Sequence, residues 1–467
     1  MAKKYTELPA DTQPKWLGIF VREKRFYQTF FPLLLVIGLQ QLAALTVNLV
    51  DNIMLGTYTE LALSGATLVN QLQFVLQQIA AGSGLGIVVL ASQYWGKRQT
   101  KPIKRIIAVG TILGFLVGVL FFVVTTLFPS QVLGLFTNDS AVIAEGMRYL
   151  HVMRWTYLIF AVSNSLMYAM QSVETAAIGT IMSISTICIN LCLNYIFIFG
   201  HFGVPEMGIV GAAIATLCSR TVELLIILSY VLFIDKKLQM KFKELLIFSM
   251  EYFTDYLKVA SPVMISGLMW GVAQGAQTAV LGHISAAVIA ANSIASVVFQ
   301  MFVVFGFACA NTSSVVIGKT IGEGRLDMVK AYSKTLQAIF VILGVLGAGL
   351  LFLCKDSILD IYAVTEETRQ LTLQFLSVLC VTSIASCYEY PVECGIIAGG
   401  GSTKYAAIAD NLFMWLFTIP SAYLSAFVFG FSPVITFCFL KSDQVLKCIP
   451  NAIVCNRYRW VKVLTRE

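Results

Sequence analysis

Asp51 stands in the stretch VNLVDNIMLG, residues 47 to 56, at the end of an apolar run that begins near Phe30. A carboxylate in such surroundings needs a partner or a water-filled cavity, because burying it alone is costly. Depth supplies candidate partners. Asp51 lies five residues inside Gly56, and Asn194 and Asn190 lie five and nine residues inside the end of a later apolar run near Phe199. At the helical rise these positions are about 7 and 13 Å below the run's end, and asparagines four apart share one face. The following run descends from near Gly208 through GIVGAAIAT and brings Thr216 to a similar level. One carboxylate, two amide carbonyls and a hydroxyl are hard oxygen donors that suit Na+ or hydrogen-bond a protonated Asp51; the residue types do not choose between the two. The alternative is structural: Asn190, Asn194 and Thr216 join helices through hydrogen bonds and Asp51 caps a loop.

A second pair of acids occurs in SCYEYPVECG, where Glu389 and Glu393 are four apart with Pro391 between them. Buried beside a proline-disrupted turn, they would form a second proton site or a contact for a cationic substrate; otherwise both reach water near the end of a long span. Trp270, Gln274 and Gln277 follow a helical stripe that offers an aromatic face and neutral amides to an amphipathic ligand. His151, His201 and His283 are scattered and form no metal motif, so no metal beyond a transported Na+ is expected. The GGG at 399–401 follows no strand and reads as a turn, not a phosphate-binding loop. With no ATP motif and no cofactor expected, an ion gradient of H+ or Na+ is the remaining energy source. An intramembrane hydrolase would need an aligned nucleophile and base, and none is evident.

The elements that must position these groups are membrane helices. Of 467 residues 58% are hydrophobic and only 12% charged, and apolar stretches long enough to cross a bilayer recur throughout. They fall roughly at 28–56, 62–90, 106–128, 147–170, 176–199, 208–234, 256–281, 286–317, 332–353, 370–396, 404–425 and 427–440. The fold class is therefore an all-α polytopic membrane protein with twelve transmembrane helices. The eleven cysteines lie mostly in apolar runs without a Cys-x-x-Cys pair and read as packing residues.

The net charge of +7 does not imply a nucleic-acid partner, because Lys and Arg gather in alternate loops. They follow the second span (Lys97, Arg98, Lys101), the sixth (Lys236, Lys237), the eighth (Lys319, Arg325) and the twelfth (Lys441, Lys447, Arg457). This pattern places both termini on the cytoplasmic side. The expected organisation is a cytoplasmic tail at 1–27, a six-helix lobe at 28–234, a basic amphipathic linker at 235–255, a second lobe at 256–440 and a cytoplasmic tail at 441–467. The two lobes read as a duplication. Gly56 of MLG pairs with Gly282 of VLG, and Gly96 of QYWGKRQ with Gly322 of GKTIGEG, both offset by 226 residues. Repeats of six spans entering from the same side are parallel, and a cleft between them can alternate its opening.

The chain resembles the multidrug and toxic compound extrusion (MATE) family. The resemblance rests on Val50, Asp51, Met54 and Gly56, on ASQYWGKRQ at 91–99, on NLCLNYIFIFGHFGVPEMGIVGAAIAT at 190–216, and on the second-half segments AANSIA and IGKTIGEG. It implies two six-helix lobes exporting amphipathic, often cationic compounds by antiport, a bacterial cytoplasmic membrane, and a first-lobe cation site at Asp51, Asn190 and Asn194, with Thr216 beside them. The expected partners are a small organic substrate and the bilayer, with the protein acting as a monomer. Departures are specific. The helix-seven acid of some relatives is absent near Trp270, Gln171 and Glu174 stand at the Arg and Gly of a Leu-Arg-x-x-Gly element, and AGGGST places Ala398 and Ser402 where relatives have Arg and Asp. A lipid-linked precursor or metabolite flippase on the same scaffold is the alternative function.

Overall fold

The computed structural model describes residues 20–359 and 365–466. The N-terminal tail up to residue 19 lies outside them. Every long apolar run forms a helix, as a chain in hydrocarbon must when each N–H and C=O needs an internal partner. The spans are Lys24–Tyr58, Glu60–Gly96, Thr100–Leu127, Ser140–Ser172, Ala177–Phe199, Ile209–Ser229, Met250–Gly282, Ala286–Gly322, Leu326–Leu359, Glu366–Tyr390, then 403–428 and 433–457. Among the described residues ten are long and apolar enough by themselves to cross a membrane. The fourth falls short because its second half carries the buried polar residues Ser163, Asn164, Ser165, Gln171 and Ser172. The twelfth is broken into Pro433–Leu440, Ser442–Leu446 and Cys448–Arg457.

That last span corrects a reading of the charge pattern. Residues 441–457 are not a solvated tail: Lys441, between the first two pieces, and Lys447, where the helix continues, are 8% and 3% exposed. Positive charge in a loop and positive charge inside a broken helix look alike in a sequence.

The described residues form two compact units. One, here called the N-terminal unit, comprises Leu35–Ala91 and Arg98–Gly267; the C-terminal unit comprises 20–34, Ser92–Lys97 and the described residues from Leu268 onward. These limits differ from the lobe limits 28–234 and 256–440, since the linker and the start of Met250–Gly282 go with the N-terminal unit. Its core gathers Leu55, Leu76, Tyr149, Tyr157 and Ile198. The third and fourth spans approach closely there through Gly114 and Gly118, where an added Cβ would lie 2.6 Å from Ser165 Oγ and 2.8 Å from Tyr157 O. The linker is tied down by Lys237, whose Nζ donates to Val173 O and Glu174 O at 2.7 and 2.9 Å, satisfying the end of the fourth span. A second tie is Lys104 to Glu244 at 2.9 Å.

The C-terminal unit has two apolar clusters. One is built on Phe26, Phe30, Phe340 and Trp460, the other on Val288, Leu376 and the stacked rings of Phe375 and Phe437. The repeat is visible in it as a reciprocal contact. A Cβ on Gly96 would fall 2.2 Å from Lys319 O, and a Cβ on Gly322 would fall 1.9 Å from Gln93 O. Residues 93 and 319 are also offset by 226, so the two repeat-related glycines face each other's repeat-related carbonyls. Only glycine permits this approach.

Candidate functional site

Asp51 is buried on the first span, at 8% exposure, and its carboxylate is met from the fifth span. Asn194 Nδ2 donates to Asp51 Oδ1 at 2.5 Å and to Asn190 Oδ1 at 3.1 Å. Asn190 Nδ2 in turn donates to Thr216 Oγ1 at 3.4 Å, and Thr216 donates back to Ala212 O at 3.0 Å. The four residues singled out by depth are thus one connected group, joined across the first, fifth and sixth spans within the N-terminal unit. The asparagine spacing explains why: residues 190 and 194 stack on the face turned inward, while Leu191 and Tyr195 point out.

Two further features mark the surroundings of this group. Asn194 Oδ1 is buried with no hydrogen-bond partner, leaving a hard oxygen beside a carboxylate. Fully buried Tyr149 contacts Thr216 and lies in the field of Asp51, and Arg220 acts on Asp51 electrostatically. Neither Tyr149 nor Arg220 was singled out in the sequence. Arg220 had a signal, being an ionisable residue inside the 208–234 run; Tyr149 had none beyond its place in an apolar segment.

Arg220 belongs to a neighbouring pair. Its NH1 donates to Glu223 Oε2 at 2.7 Å, and Glu223 also receives Ser163 Oγ at 3.1 Å and Thr186 Oγ1 at 3.4 Å. The guanidinium sits over the Phe160 ring, 5.3 Å from its centroid. One acid, one base and two hydroxyls close this cluster.

In the C-terminal unit the structure buries both acids of SCYEYPVECG, Glu389 at 4% and Glu393 at 2% exposure. Pro391 has no N–H to give, and the chain widens to a π-helical stretch over Pro391–Ile397, closed by Ala398 N to Glu393 O at 2.9 Å. Glu389 faces Lys447 at 3.5 Å, and the same ammonium reaches Asp410 at 2.9 Å and Asp443 at 3.6 Å. Glu393 is turned elsewhere: it accepts from Asn451 Nδ2 at 2.7 Å, and Asn451 Oδ1 accepts from Tyr405 at 2.9 Å. Lys447, Asp410 and Asp443 are the members that sequence reasoning missed. Lys447 was hidden among residues assigned to topology, and Asp410 is a lone acid within an apolar run.

The stripe Trp270, Gln274, Gln277 divides. Gln277 is buried and its Nε2 donates to Met414 Sδ at 3.1 Å, whereas Trp270 and Gln274 remain half-buried. The departures have local roles. Gln171 donates to Gln40 Oε1 at 3.3 Å, and Glu174 takes a positive φ of 58° at a turn where glycine would sit without strain. Ala398 is buried, and Ser402 receives Lys462 Nζ at 3.4 Å.

The MatE family profile matches residues 37–196 and 262–424, one stretch in each half. The chain is 23% identical over 403 residues to "Probable multidrug resistance protein NorM" of Listeria monocytogenes, covering 86% of this chain and 87% of that one. Among solved structures it is similar to a mutant of the Vibrio cholerae MATE transporter VcmN, with TM-score 0.84, 18% identity and coverage of 92% and 96%. It is also similar to a MOP superfamily transporter from Pyrococcus furiosus, at TM-score 0.83 and 17% identity over 92% and 95%. The resemblance read from the first-span motif and the duplicated glycines therefore holds across both halves: the chain belongs to the MatE family of multi-pass membrane transporters.

Proposed function

We propose that this transporter is a secondary antiporter that exports amphipathic, cationic organic compounds in exchange for H+ or Na+, with Asp51 as the coupling carboxylate. One observation carries the reading: Asp51 is buried in an apolar unit among Asn190, Asn194 and Thr216, with a partnerless amide oxygen beside it. A charge so placed is stable when it meets a cation and costly when it does not, which makes loading of the site a conformational signal. The multidrug-resistance name of the Listeria relative supports the substrate class.

In this reading the cation enters the Asp51 site, favours the state that releases solute, and leaves from the opposite side, where Asp51 reloads in the next cycle of alternating access. Coupling requires unequal ion affinity in the two states. Trp270 and Gln274 contribute an aromatic face and an amide to the solute path, with Gln277 fixing the helix behind them. Glu389 and Glu393 serve as fixed acids of the C-terminal unit. The N- and C-termini face the cytoplasm, and the protein works as a monomer. A lipid-linked precursor flippase is the second reading; it is favoured by the uncharged turn residues Gln171 and Ala398.

Efflux of a fluorescent amphipathic cation from liposomes holding the purified protein, with H+ and Na+ gradients imposed separately, tests this function. The expected result is efflux driven by one gradient and lost in Asp51→Asn. Full gradient-driven efflux in that variant would remove Asp51 from the coupling step. No efflux under either gradient, with folded protein, would favour the precursor flippase.

A further inference from the structure

We propose that Lys447 is a resident cation that permanently fills the acidic site of the C-terminal unit, so that this site takes no exchangeable ion during transport. The geometry is that of an ammonium receptor. Lys447 Nζ donates to Asp410 Oδ1 at 2.9 Å and is ion-paired with two more carboxylates within 4 Å, Glu389 at 3.5 Å and Asp443 at 3.6 Å. They come from three different spans. Asp443 is on the lysine's own span, one turn away, while Glu389 and Asp410 are on the tenth and eleventh.

Burial holds the ammonium there: Lys447 is 3% exposed, Glu389 4% and Asp443 5%, and of its partners only Asp410, with its side chain 22% exposed, is open to water. The backbone is helical there: Lys447 N donates to Asp443 O at 2.9 Å and Lys447 O accepts from Asn451 N at 3.0 Å, so the i, i+4 spacing sets Asp443 and Lys447 on one face. The remaining charges nearby are engaged elsewhere: Glu393 is bound by Asn451, and the Lys441 ammonium lies 4.1 Å from the Phe299 ring centroid. A flexible ammonium, not a planar guanidinium, suits three separate single contacts.

The consequence is an asymmetric machine. A site with this many acids would otherwise attract a second coupling ion or a cationic solute; with its own lysine in place it holds the tenth, eleventh and twelfth spans together. Without the lysine it becomes a binding site for a primary alkylammonium. The proposal goes beyond the assignment of Asp51 and does not depend on it.

The test is chemical rescue. Lys447→Ala removes three methylenes and the ammonium, and n-propylammonium replaces those atoms. Thermal unfolding of purified protein and transport in liposomes are measured with n-propylammonium or, at equal ionic strength, tetramethylammonium, which has no N–H. The expected result is a lowered unfolding midpoint and transport reduced by about tenfold or more, both restored saturably by n-propylammonium alone, with the wild type indifferent to both. Equal response of the variant to the two amines, or response to neither, overturns the proposal. Should Lys447→Ala not fold, the wild type decides through the cations exchanged per solute, read from the reversal potential. One cation, abolished by Asp51→Asn, supports the proposal; a second cation that disappears in Glu389→Gln overturns it. Failure of ion coupling altogether would remove the role of Asp51 and leave the amine-dependent unfolding midpoint as the test of Lys447.

Discussion

The two halves of the molecule place different chemistry at corresponding positions. Asp51 in the first half is offset by 226 residues from Gln277 in the second, the same offset that relates Gly56 to Gly282. One is a carboxylate held by Asn194; the other is an amide donating to Met414 Sδ. Ser163 and Glu389, on the fourth spans of their halves, share the offset as well. Ser163 joins a cluster with one acid and one base, Glu223 and Arg220, whereas Glu389 is one of three acids within 4 Å of one lysine. Repeat-related positions thus carry different side-chain chemistry in the two halves. The Asp51 carboxylate is held by neutral amides and has no cation within its group, whereas Glu389 stands 3.5 Å from the ammonium of its own unit's Lys447.

The largest effect should come from removing the difference at residue 51. Asp51→Asn makes the first half resemble the second, and gradient-driven transport should fall by about 100-fold with membrane insertion intact. Gradient-driven flux in liposomes checks it, and Gln277→Asp in that background should not restore coupling, because residue 277 faces a thioether. Next in size is the Arg220–Glu223 pair. Glu223→Ala leaves a guanidinium without its acid and should lower stability by about 3 kcal/mol, seen as a reduced unfolding midpoint. Replacing both residues by Met should recover most of that loss, as a structural pair requires. A smaller effect is expected for Thr216→Val, which withdraws the acceptor of Asn190 while keeping side-chain volume. Ion affinity should weaken about fivefold, measured by ion-dependent substrate release, and stability should fall by about 1 kcal/mol because the buried Asn190 Nδ2 loses its acceptor.

The smallest effect concerns the contact of Glu23 just before the first span. Arg325 donates to Glu23 at 2.8 Å and Tyr332 adds a second hydrogen bond at 2.6 Å. The Arg325 contact holds the Glu23 carboxyl below the ordinary glutamate range, against partial burial, which acts the other way. A depressed value means that the stabilisation is present above the ordinary range and is lost as pH falls through the lowered one. Glu23→Gln should therefore slightly lower the unfolding midpoint at neutral pH and flatten its acid dependence; an unchanged acid limb would show the contact to be inert.

Much of the architecture was legible because hydrocarbon allows few alternatives. Twelve apolar runs became twelve spans, and asparagines four apart with an acid at matching depth became the Asp51 group. The duplicated glycines 96 and 322 proved to be contact points, each held to glycine by a carbonyl of the other repeat. The sequence was opaque where one residue type serves two purposes. Lys447 follows the alternating-loop pattern of the other lysines, and nothing local says that it lies on a buried helical face beside Asp410 and Glu389. Gln277 sits on the same stripe as Trp270 and Gln274, yet Met414 draws it into the unit. Arg220 and Glu223 were visible as charges three apart in an apolar run, a signal passed over beside the more isolated Asp51.

The central claim is that the exchanged ion acts through Asp51. It is tested most directly by the substrate's dissociation constant in purified protein, wild type and Asp51→Asn, across a range of pH at fixed Na+ and a range of Na+ at fixed pH. Wild-type affinity should weaken as one of the two ions is raised, while the variant's affinity stays flat to both. An Asp51→Asn protein whose affinity tracks the same ion with the same slope would contradict it.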